Sequence, residues 1–131
     1  MSGVSQLRVV VTVGDYDAAL AFYRDTLGLP EIGAFTSPGG RIAILDAGRA
    51  TLELADPKHA ENIDAAEVGR RVAPKIRIAF EVDDATAATN AARAAGAVVV
   101  AEPIHTPWNS LNSRLEAPGG LQLTLFTELG E

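Results

Sequence analysis

A chain of 131 residues with 47% hydrophobic and 21% charged side chains is sized for one domain, long enough to bury a core without disulfides or a structural metal. No apolar run approaches the roughly 20 residues that cross a bilayer, so no membrane partner is expected, and the absence of cysteine removes thiolate nucleophiles, zinc–cysteine sites and iron–sulfur ligation. A formal charge of −6 works against nucleic-acid binding, which needs a basic face, and the short runs RVAPKIR and RR do not make one.

The opening MSGVSQ lacks the basic start and apolar stretch of a secretory leader, which makes the cytoplasm the expected compartment. LRVVVTV, residues 7–13, is β-branched and apolar and reads as a strand; Gly14-Asp15 then ends it and offers a helix N-cap. Tyr16, Ala19, Leu20, Tyr23 and Leu27 recur at helical spacing, and Gly28 supplies the left-handed position that closes the helix. PEIGAFTS, RIAILDA and ATLELA follow as three short strands, separated by the turns Pro38-Gly39-Gly40 and Ala47-Gly48-Arg49. This first module, about residues 6–56, is β-α-β-β-β, with Phe35 expected in its core. Residues 57–74 are polar, carry Pro57 and Pro74, and read as a connector with one helical turn.

The pattern then restarts. Residues 7–15 (LRVVVTVGD) lie over residues 76–84 (IRIAFEVDD), with Arg8 on Arg77, Val13 on Val82 and Asp15 on Asp84; TLEL, residues 51–54, falls on QLTL, residues 122–125. Asp84 again caps a helix, here alanine-rich, and Gly96 ends it. AVVVAEP, SRLEA and LQLTLF supply strands, and Pro118-Gly119-Gly120 the last turn, so module 2 spans about 75–127. Neither module can bury a sheet face alone. The expectation is an α+β domain over 1–131 in which two β-α-β-β-β modules form a curved, partly open sheet around a cavity.

Side chains alternate across a strand, so parity assigns faces. Val9, Val11 and Val13, with Ile78, Phe80 and Val82, form apolar sets that face the helices; Leu52, Leu54, Leu121, Leu123 and Leu125 join them. Arg8, Glu53, Arg77 and Thr124 then share the mixed-polarity face of four strands, with Gln122 and Phe126 beside Thr124. A pseudo-twofold between modules would bring those four together.

VGDYDAALAFYRDTLGL, then IRIAFEVDD, then APGGLQLTLF resemble, in that order, the vicinal oxygen chelate superfamily of glyoxalases, extradiol dioxygenases and bleomycin-resistance proteins, over residues 7–56 and 75–126. The resemblance implies the glyoxalase/bleomycin-resistance fold. It also implies a metal in many members, held by His or Gln at the positions of Arg8 and Arg77 and by Glu at those of Glu53 and Thr124. Here only Glu53 matches. A guanidinium has no lone pair to give and repels a cation, so no metal and no cofactor are expected, and Glu53 is the one candidate for catalysis. Glu53 either orients Arg8 and Arg77 toward a planar anionic or carbonyl-rich ligand, or pairs with them only to fill the vacated place. Trp108, in a stretch similar to the family's Pro-Trp-Gly segment, is either a pocket wall or a core or dimer contact.

His59 and His105 stand at no metal-binding spacing and read as surface residues. The ligand-binding set is therefore Arg8, Glu53, Arg77, Trp108, Gln122 and Thr124. The expected function is metal-free binding of an aromatic or amphipathic small molecule, as in the drug-binding branch of the family, by a homodimer. A metal-dependent or acid–base lyase, isomerase or dioxygenase working through Glu53 is the alternative, and a ligand sensor without turnover is a third.

Overall fold

Asp15 and Asp84, the two aspartates at matching places in the repeat, both cap helices: their side chains accept from the backbone N–H of Ala18 and Ala87, each at 3.0 Å. The computed structural model describes residues 8–37, 39–50, 53 and 55–130. Helix α1, Tyr16–Leu20, runs directly into a π-helical segment, Ala21–Thr26, and the chain then turns at Gly28 with φ +78°. Helix α3, Ala85–Ala94, ends before Gly96 at φ +103°. In both, the left-handed conformation that closes a helix falls on the glycine, which has no Cβ to oppose it.

Two antiparallel strands, β1 (Glu31–Ser37) and β2 (Gly40–Leu45), make a hairpin. Strands β3 (Ile78–Glu81), β4 (Val98–His105), β5 (Ser110–Glu116) and β6 (Gln122–Glu128) make a second sheet in the order β3-β6-β5-β4, with β3 parallel to β6 and the other pairs antiparallel. Among the described residues the architecture is α+β with two sheets, neither closed into a barrel. No helix there is long and apolar enough to cross a membrane.

The core lies on one face of the four-stranded sheet. Leu115, Leu123 and Leu125 are wholly buried there and meet Ala92 of α3 and Phe22 of the π-helical segment. Ile78, Phe80 and Val82 pack against the same cluster, as the period-2 alternation requires. The first module thus contributes a helical face to a core built mainly by the second, and its hairpin stands outside that core. Phe35, expected inside, is 64% exposed, opposite Ile42 on the neighbouring strand. Among the described residues each strand of this ribbon has only the other as its ladder partner, and Ile32, Phe35 and Ile42 are exposed while Ile44 and Leu45 are half-buried.

Two further expectations are corrected. Residues 8–13 are not a strand: Val9, Val10 and Val11 are exposed, and among the described residues no strand pairs with this segment, so β-branched propensity alone makes no ladder. The connector is not a single turn but a three-turn helix, α2, Pro57–Glu67, capped by Asp56, whose side chain accepts from the His59 N–H at 2.8 Å. Pro57 at its first position is pre-set for a helix start. The strand expected over ATLELA, with Leu52 and Leu54, falls on positions 51, 52 and 54, which lie outside the described residues, as do Leu7 and Pro38.

Candidate functional site

The register of β5 against β6 sets Arg114 opposite Thr124, Asn112 opposite Phe126 and Glu116 opposite Gln122, all on the face away from the core. Thr124 also pairs with Ala79 of β3, which brings Arg77, two residues earlier, to the same face. Helix α2 lies across this polar face. The only side chains it buries outright are Asp64 and Glu67, three residues apart and so on one side of the helix.

Those two carboxylates meet Arg114, whose side chain is wholly buried. Arg114 Nη1 donates to Asp64 Oδ1 at 2.8 Å and to Gln122 Oε1 at 3.0 Å, and Nη2 donates to Glu67 Oε1 at 2.8 Å. Arg114 Nε has no partner among the described residues. Glu67 Oε2 accepts from Asn112 Nδ2 at 2.7 Å, and Oε1 also lies 3.4 Å from the Thr124 hydroxyl. That hydroxyl accepts from Arg77 Nη1 at 2.7 Å. Asp64 Oδ2, in turn, gathers the chain beyond α2, accepting from Arg71 Nη1 at 2.9 Å and from the backbone N–H of Val72 and Ala73, both at 2.8 Å. Gln122 Nε2 completes the seam with a bond of 3.3 Å to the Val72 carbonyl.

Burial alone would raise the Asp64 carboxyl, but the N–H of Ala73, the Arg114 guanidinium, the N–H of Val72 and Arg71 outweigh it and hold the group well below the usual carboxylate range. Arg77 is shifted downward, by burial first and then by the Arg114 charge, against the opposing pull of Glu67, Asp64 and Glu53. It remains a cation at any physiological pH.

Of the residues expected to bind, the structure thus gathers Arg77, Gln122 and Thr124 around Arg114. Glu53 is exposed and acts on Arg77 through its charge. Arg8 is exposed, on a segment that forms no strand to carry the parity argument. Trp108, 48% exposed, lines an open hollow of about 360 Å³ with Asn109, Ser110, Phe126, Glu128 and Gly130. The hollow joins the ionic cluster through hydrogen bonds: Ser110 Oγ donates to Asn112 Oδ1 at 2.6 Å, and Asn112 holds Glu67.

Sequence reasoning missed Asp64, Glu67, Asn112 and Arg114. The signal for Arg114 was its alternation with Leu115 in SRLEA, which sets it on the polar face; that for the acids was their spacing, behind Asp56-Pro57 as a helix start.

A divalent ion, which the family resemblance implies, does not fit the donors present. Two guanidinium groups stand around Thr124, one of them at a position where a lone pair would be required, and the two buried carboxylates are already committed to Arg114. Among the described residues no three His, Asp or Glu side chains are grouped to hold a metal.

Solved structures with this fold include a hypothetical protein from S. aureus, 17% identical over 96% of this chain and 95% of that one, with a TM-score of 0.64. An antibiotic binding protein, TnmS3 from Streptomyces sp. CB03234, is 21% identical over 98% and 99%, with a TM-score of 0.61. A lactoylglutathione lyase from Agrobacterium tumefaciens is 25% identical over 96% of both chains, with a TM-score of 0.55. No curated protein matches the chain. The Glyoxalase/Bleomycin resistance protein/Dioxygenase superfamily matches residues 5–125, and with repeat, sheet and helices arranged as described, the chain belongs to that superfamily.

Proposed function

We propose that this protein binds an aromatic or amphipathic small molecule without a divalent metal, sequestering it rather than transforming it. The observation that carries this reading is the guanidinium pair. Arg77, half-buried, and Arg114, buried against Asp64 and Glu67, flank Thr124 on the sheet face where metal-dependent relatives need lone-pair donors, and guanidinium groups recognise planar oxyanions and carbonyls instead. The open hollow beside them sets Trp108 and Phe126 among the polar Asn109, Ser110 and Glu128, which offers rings for stacking and polar groups for the rest of an amphipathic ligand.

This fold carries both an antibiotic binding protein and a lactoylglutathione lyase, so fold alone does not choose between binding and catalysis. The alternative, a lyase, isomerase or dioxygenase working through Glu53, is favoured by the 25% identity to the lyase and by the reach of the Glu53 charge to Arg77. A homodimer is the proposed working form. Ile32, Phe35 and Ile42 of the hairpin, 67%, 64% and 47% exposed, are the apolar surface a second copy would cover.

Native mass spectrometry of the purified protein, with metal analysis of the same sample, tests all of this together. The expected spectrum is a dimer carrying a co-purified organic molecule and no stoichiometric divalent ion; adding that molecule raises the Tm. One equivalent of nickel, zinc, iron or manganese, lost on Glu53→Gln together with turnover, would establish the enzyme instead. A monomer at micromolar concentration would remove the dimer.

A further inference from the structure

We infer that Arg114, Asn112, Thr124 and Arg77 form a carboxylate-binding cradle that Glu67 occupies in the resting chain, and that the ligand of this site carries a carboxylate which replaces it. This rests on the binding reading above and narrows it to an acidic ligand class.

Glu67 is held as a bound carboxylate would be. One oxygen takes Arg114 Nη2 and approaches Thr124, and the other takes Asn112 Nδ2. Yet the fit is incomplete. The Nε–H and one Nη2–H of a guanidinium point the same way and together grip both oxygens of a carboxylate side-on. Glu67 uses only the Nη2 half of that edge, because its second oxygen turns to Asn112 and the helix fixes its approach. Arg114 Nε is left buried with no partner among the described residues, which is costly for a donor of a charged group. A carboxylate not tied to a helix can satisfy both halves at once.

The occupant is also held by groups that an acid can exchange. Helix α2 buries two acids outright and no apolar side chain to the same degree, so polar contacts carry its docking at this end. Such contacts are nearly balanced between solvent, helix and ligand, whereas an apolar stripe would resist exchange. Asp64 need not move with Glu67. It keeps Arg71, the Val72 and Ala73 N–H groups and Arg114 Nη1, and so holds the guanidinium in place while the cradle opens. The Ser110–Asn112 link leads from the cradle to the Trp108 hollow, which suits a molecule with an acidic head and an aromatic body.

The test uses the full chain with Glu67→Ala, and with Glu67→Gln should the first fail to fold. Removing the carboxylate lowers the Tm by on the order of 10 °C. Acetate at matched ionic strength restores more of that loss than chloride does, and neither changes the native protein. With Trp108 fluorescence as the readout, 2-naphthoate binds the variant about tenfold more tightly than it binds the native chain, since the internal competitor is gone. The neutral 2-naphthamide shows no gain, and Arg77→Gln in the same background reduces that of naphthoate.

Equal effects of acetate and chloride, with equal binding of naphthoate and naphthamide, would overturn the cradle while leaving an aromatic binding site in place. Acetate rescue without fluorescence change from either naphthalene would leave the cradle and remove the aromatic hollow from the binding reading.

Discussion

Replacing Arg114 by methionine tests whether the ionic seam under α2 holds the helix on the sheet. Methionine fills a similar volume without charge, so the loss isolates three hydrogen bonds: to Asp64 at 2.8 Å, to Glu67 at 2.8 Å and to Gln122 at 3.0 Å. Asp64 keeps Arg71 and two backbone donors, whereas Glu67 keeps only Asn112 and the long contact to Thr124, so Glu67 becomes the under-compensated buried charge. Breaking one side of a buried ion pair costs about 3–5 kcal/mol, a large part of the roughly 5–15 kcal/mol that holds a domain of this size together. In urea, with a slope of about 2 kcal/mol per molar, the midpoint falls by about 2 M at unchanged slope. Adding Glu67→Gln to Arg114→Met recovers more than about 1 kcal/mol, because the stranded charge is gone. A single variant within about 1 kcal/mol of the native chain, or a double variant that merely adds the two losses, would refute the seam as the source of docking.

Two more outcomes follow from buried polar groups. The depressed carboxyl of Asp64 means that below about pH 5 the unfolded chain takes up a proton the folded chain refuses, so stability falls as pH drops toward 2. Asp64→Asn removes that contribution: thermal melts across this range show a shallower pH slope than the native chain, and parallel profiles would count against the assignment. The Tyr23 hydroxyl is buried without a partner among the described residues, and its ionisation is pushed up by burial. Tyr23→Phe should therefore be neutral, or stabilising by up to about 1 kcal/mol, in urea unfolding; a loss larger than that would reveal a partner the fold conceals.

Much of this molecule is legible in the chain because local chemistry and alternation decide it. Asp15 and Asp84 are helix caps wherever the helices go, and Leu123 and Leu125 alternate with Gln122 and Thr124 under any packing that buries one face. The alternation along residues 76–82 and 121–125 placed Arg77 and Thr124 on one face, where they meet.

The central part of the site was not legible in that way. Helix α2 shows weak apolar periodicity because what it buries are acids, and two carboxylates at a helical spacing look like a solvated face until a guanidinium is known to stand beneath them. Arg114 lies 47 and 50 residues from those partners. Likewise the valines of 9–11 have strand chemistry without a strand, because a ladder needs a second backbone and none among the described residues pairs with them. The sequence by itself determined which residues are apolar, which cap and which alternate. Only the tertiary structure decided which charges meet, since the energy of a buried charge depends on its neighbours in space and not on its neighbours in the chain.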